Sequence, residues 1–151
     1  MDLSGRVAID ASRDIVYAAL INPEVLRKCI PGCEELVKHS ETSYEAKVAL
    51  KIGPVKARFG GQVQLDVSGA PESVSLEGEG SGGAAGFAKG GADVVLEESN
   101  GQTTLTYSAK ASVGGKIAQL GSRLVQSTAK KLADQFFKEF SRVFDEKQAN
   151  A

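Results

Sequence analysis

Tryptophan is absent from this chain of 151 residues, methionine occurs once, and there are only six phenylalanines and three tyrosines. Bulk for a core is therefore scarce. One histidine and two cysteines are too few for a four-ligand zinc site without carboxylates. No apolar run is long enough to cross a bilayer. Neither sign of charge dominates: 18 basic residues face 19 acidic ones. That balance speaks against a nucleic-acid binder, which carries a basic face. The opening MDLSGRVAIDAS has an early acid and no apolar signal region, so a cytoplasmic location is expected, where two thiols stay reduced. The length suits one domain, placed at residues 1–146, with a polar tail at 147–151.

What the chain has in excess is glycine, 17 residues, against an average of about 7 %. These glycines fall among segments of period two. Leu3, Val7 and Ile9 share one parity in a first strand. Ser12 is suited to cap a helix over RDIVYAAL, and Asn22-Pro23 to start a second short helix, about Pro23 to Cys29, which Pro31 and Gly32 stop. From Glu34 to Val113 alternation is almost continuous, and about seven strands are expected in all. Tyr44, Ala46, Val48, Leu50 and Ile52 oppose Glu45, Lys47 and Lys51; Phe59, Val63 and Leu65 oppose Arg58, Gln62 and Gln64. Such strands form an antiparallel sheet with one wet face. GEGSGGAAG, residues 78–86, reads as a loop between strands. A last helix, Lys116 to about Glu146, would span about 45 Å, with a stripe of Ile117, Leu120, Leu124, Leu132, Phe136, Phe140 and Val143.

The fold class is therefore α+β: a curved antiparallel sheet covered by the one helix long enough to cover it. Glycines inside strands, such as Gly60, Gly61, Gly90 and Gly91, suit bends. Gly78, Gly80, Ala88, Gly90, Ala92, Ala109 and Ala111 all lie on the inward parity. Small residues beneath a bent sheet leave volume. A void of about 300 Å³ would cost about 7 kcal/mol at about 24 cal/mol per Å³, rivalling the stability of a whole domain. Either the helix sits close on the small residues, or a ligand fills the space. The expected lining is Val48, Leu50, Phe59, Val63, Leu65, Leu76, Phe87 and Tyr107 from the sheet. Leu120, Leu124, Leu132 and Phe136 would add the helix side. Gly53, Pro54, Gly82, Gly83, Gly114 and Gly115 fall at one end of the sheet and are the expected mouth.

Both cysteines lie in KCIPGCEEL, at Cys29 and Cys33. The spacing is not the C-x-x-C of redox or metal sites. The thiols read as small apolar fillers around a Pro-Gly turn, although a disulfide under oxidation is compatible with the spacing. His39 reads as a solvated loop residue rather than a general base. Tyr44 and Tyr107 point inward, either as core residues or to orient a ligand carbonyl. GEGSGG lacks the lysine and helix of a phosphate-binding loop. Lys130-Lys131 reads as a wet helix face.

IPGCEEL, residues 30–36, resembles the hallmark of the CoxG family, the G-type subunits of carbon monoxide dehydrogenase. The element order resembles the helix-grip fold of the START and birch-pollen-allergen superfamily. The likeness runs from Met1 to about Phe144 and includes MDLSGRVAIDASRDIVYAALINPEVL. It implies a non-catalytic accessory protein of a molybdenum hydroxylase, with the hydroxylase subunits as partners. It also implies transient membrane contact at the inner face, and a bound quinone or lipid in place of any covalent cofactor. Some members carry a C-terminal extension that could hold the membrane; this chain ends soon after its helix. The alternatives are a docking protein without a ligand, or an enzyme of the cyclase, dehydratase or hydrolase type.

Overall fold

The computed structural model describes residues 1–149, with side chains through residue 145; of the expected tail, residues 150 and 151 lie outside the described residues. The alternating opening segment forms β1 (Asp2–Ile9). Two short helices follow, α1 (Arg13–Leu20) and α2 (Pro23–Cys29). The caps fall where the sequence puts them. Asn22 accepts a hydrogen bond from the Glu24 N–H at 2.9 Å, and Pro23 occupies the first turn, where its missing N–H costs nothing. Ser12 caps α1 without a side-chain bond.

Six strands then run in sequence: β2 (Cys33–Lys38), β3 (Ser43–Ile52), β4 (Val55–Asp66), β5 (Ser73–Ser81), β6 (Phe87–Ser99) and β7 (Gln102–Gly114). The sheet order is β1-β7-β6-β5-β4-β3-β2, with every pair antiparallel. The chain enters at one edge, crosses to the other through α1 and α2, and meanders back until β7 meets β1. Of the glycine-rich stretch 78–86, the first part belongs to β5, and only the part from Gly82 to Gly86 forms the connection.

The last helix, α3 (Ser122–Ala149), is about 42 Å long. It starts later than the apolar spacing predicts. Gly121 sits at φ +97°, outside the helical region, and the preceding residues form only a short 3-10 turn, Ala118–Leu120. The helix also continues beyond Glu146.

Register sorts the inward face by size. One row across the sheet is Ala46–Gly61–Gly80–Ala88–Val113, and the next is Tyr44–Val63–Gly78–Gly90–Ala111. Beyond them the rows become bulkier: Leu65–Leu76–Ala92–Ala109, then Val74–Val94–Tyr107, then Leu96–Leu105–Val7. The helix is graded the same way. Its second half carries Phe136, Phe137, Phe140 and Phe144, four of the six phenylalanines in the chain. Phe137 stacks on Tyr107 with ring centroids 4.7 Å apart, and Phe140 lies against Phe144 at 5.2 Å. These rings close a core with Ile9, Val16, Leu96 and Leu105. One end of the molecule is solid, and the other has little to fill it.

Candidate functional site

Between the small rows and the first half of α3 lies a cavity of about 420 Å³. The sheet side is lined by Ala46, Val48, Leu50, Ile52, Phe59, Val63, Ala88 and Val113, with Gly61, Gly78 and Gly80 giving bare backbone. Val125, Thr128, Ala129 and Leu132 line it from α3, one helical face at spacings of three and four. Ile117, Met1 and the turn residues Ile30 and Pro31 complete the wall. Gln62 and Glu79 border it, but they are exposed on the outer face and paired with each other across β4 and β5. Among the described residues, the Thr128 hydroxyl is thus the one polar side-chain group on the inner wall.

Of the lining expected from sequence, Val48, Leu50, Phe59, Val63 and Leu132 meet here. The other seven lie elsewhere. Leu65 and Leu76 pair with each other one row toward the solid end. Tyr107 is held against Phe137, and Phe136 stacks on Phe140. Phe87 is 54 % exposed, because its neighbour Ala88 takes the inward position. Leu120 lies in the 3-10 turn that replaces the expected first turns of the helix. Leu124 lies against Gly53, where a Cβ would approach its Cδ2 to 2.9 Å.

None of the expected mouth residues, Gly53, Pro54, Gly82, Gly83, Gly114 and Gly115, lines the cavity. Contacts tie the segments of that end together. The Ile117 N–H donates to the Ala85 carbonyl at 3.0 Å, and the Gly82 N–H to Gly86 at 2.8 Å. The Phe59 ring fills the space beside Gly82, and Gly115 packs on Gly86.

The other chemical groups stand apart from the cavity. Tyr44 is buried and donates its hydroxyl to the Ile21 carbonyl at 2.5 Å. The exposed His39 pairs with Glu45 at 2.7 Å. Cys29 and Cys33 are both free; Cys29 is buried in the core, and Cys33 makes a long bond to the Glu35 carbonyl. Burial pushes both thiols up, so neither is an activated thiolate. Among the described residues no group of three His, Cys, Asp or Glu could hold a metal ion, and no helix is long and apolar enough to cross a membrane.

A curved seven-stranded antiparallel sheet closed over one long helix defines the START-like, helix-grip class. Solved structures agree. A START superfamily protein from Mycobacterium smegmatis superposes with a TM-score of 0.74 at 12% identity, covering 96% of this chain and 97% of that one. The Zhui aromatase/cyclase from Streptomyces sp. R1128 gives 0.65 at 10% identity, covering 96% and 93%. A conserved protein from Geobacillus kaustophilus is nearer in sequence: 29% identity and a TM-score of 0.89 over 97% of this chain and 96% of that chain. No curated protein matches by sequence. The profile of CoxG, the G-type subunit of carbon monoxide dehydrogenase, matches residues 5–144, and the chain belongs to that family.

Proposed function

We propose that this protein is a non-catalytic accessory subunit of a molybdenum hydroxylase of the carbon monoxide dehydrogenase type, and that it carries an apolar ligand, a lipid or a quinone, in the cavity under its sheet. The family match supports the association with the dehydrogenase. The cavity is the observation that carries the ligand. The space is partly open to solvent, and its almost wholly apolar wall would otherwise stand against water, at a cost of about 25 cal/mol per Å² of apolar surface left exposed. Water fills such a space poorly, because each molecule needs two to four polar partners and the wall offers one hydroxyl. An apolar guest removes that cost. Among the described residues, the inner wall lacks the converging acid, base or nucleophile that an enzyme of this fold would need.

The working location is the cytoplasm, in line with the two free thiols, with transient contact at the inner membrane face where such a ligand is exchanged. In this role the protein would link the hydroxylase to the membrane or to its electron acceptor.

The test is native mass spectrometry of the protein purified from its own cells, followed by organic extraction. About one apolar molecule per chain is expected, and it should be lost in Ala129→Phe, which fills the cavity. A stable complex with the hydroxylase and no extractable ligand would favour the docking reading instead.

A further inference from the structure

The cavity has a second neighbour. Ile30 and Pro31, whose inner side closes the wall, also line a recess on the outside, together with Arg27, Lys28, Gly32, Cys33, Gln135, Lys138 and Glu139. Along α3 the two linings follow one another: Thr128 and Leu132 line the cavity, and Gln135 and Glu139 line the recess further along the same side.

The partition here differs from the rest of the wall. Under β4 and β5 the cavity is also one backbone thick, with an outer recess beyond it, but the strands there are hydrogen-bonded in register and leave no gap. At the Ile30-Pro31 turn the same two residues line both spaces, and no strand ladder joins the turn to α3. The turn itself is fixed by Gly32, at φ +73°, whose carbonyl accepts from the Ala49 N–H at 2.9 Å.

The charge around this recess has one sign to spare. Glu139 is taken up by Arg142 at 3.0 Å. Among the described residues Arg27, Lys28 and Lys138 have no acidic partner within ion-pair distance. Inside the cavity the opposite holds: one hydroxyl is available to any polar atom that enters.

We propose that the ligand is an anionic amphiphile, which enters between the Ile30-Pro31 turn and α3 with its chain in the cavity and its charged head among Arg27, Lys28 and Lys138. This deepens the reading of the cavity as an apolar site and rests on it. At about 30 Å³ per water-sized group, 420 Å³ accepts a chain of about 14 carbons. The head stays in the wet recess, so no charge is buried and no desolvation penalty arises.

Dodecanoate and dodecanol separate the two claims, because they share a chain and differ in the head. Calorimetric titration in low salt should give tighter binding of dodecanoate. The triple variant R27Q/K28Q/K138Q, altered only at exposed positions, should weaken dodecanoate about tenfold, about two- to threefold per exposed charge, and leave dodecanol unchanged. Raising the salt should erase the preference in the same way. If both probes bind equally and the triple variant changes neither, the cavity stands and the anionic head site is overturned. If neither probe binds, the cavity reading falls, and this inference falls with it. Preference for dodecanoate that persists in the triple variant would place the head elsewhere and overturn the assignment of these cations.

Discussion

Gly32 decides the shape of the turn that walls the cavity. Its φ is +73°, and a Cβ there would run into the Ala49 carbonyl oxygen. Gly32→Ala should therefore destabilise the fold by about 1–3 kcal/mol or more, read as a lowered midpoint in chemical denaturation; an unchanged midpoint would contradict the close approach. The two cysteines beside this turn answer to burial rather than to chemistry. Cys29 is pushed up first by burial and then by Glu139, with Lys28 pulling the other way; Cys33 is pushed up by burial against the Glu35 bond and Arg27. Folded-state values above the unfolded ones mean that the protonated thiols contribute fully below the unfolded pKa. That contribution is lost as pH rises through the folded value. Iodoacetamide labelling of the native protein should accordingly show a more alkaline midpoint than labelling in denaturant. Equal midpoints would show thiols in water. The sequence made part of this legible: KCIPGCEEL lacks ligand spacing, and Cys29 packs as a filler in the core, while Cys33 is only half-buried.

At the scale of elements, alternation carried most of the information. Parity alone assigns the inward residues of β3 through β7, because one face of an antiparallel sheet must be apolar. Cap chemistry places α1 and α2. The helix start was not legible, since Ile117 and Leu120 fit a helical stripe and only the conformation of Gly121 breaks it. Cavity lining was half legible for a related reason. Parity says which face a residue takes but not which row, and rows depend on register. Leu65 and Leu76 share the face of Val63 yet sit one row too far toward the core. On α3 the large residues draw the stripe, while nothing in the spacing marks the small face of Val125, Thr128 and Ala129. The two halves of α3 should differ in mutational cost. Phe140 is fully buried, and Phe140→Ala should cost about 3–5 kcal/mol. Leu132 is half-buried and borders space that already exists, so Leu132→Ala should cost about 2 kcal/mol, the transfer term with little new cavity. Equal losses in urea denaturation would mean that the helix is uniformly packed.

Across the whole molecule, the grading of side-chain size makes one end a core and the other a container. Aromatic rings near the C-terminal half of α3 supply the stability, which leaves the glycine and alanine rows free to stay unfilled. The scarcity of bulk in the composition predicted a hollow; its position needed the register. The same grading separates folding from binding. Substitutions at Phe136, Phe140 or Leu105 should act on stability, and those at Ala46, Ala129 or Leu132 on occupancy.

The central claim is that the space under the small rows receives an apolar chain. Calorimetric titration with straight-chain alcohols from hexanol to hexadecanol measures that space directly. Affinity should rise with length at up to about 0.8 kcal/mol per methylene, level off at about 14 carbons, where 420 Å³ is full, and collapse in folded Ala129→Phe. No binding at any length, or a length dependence that Ala129→Phe leaves intact, would contradict the account.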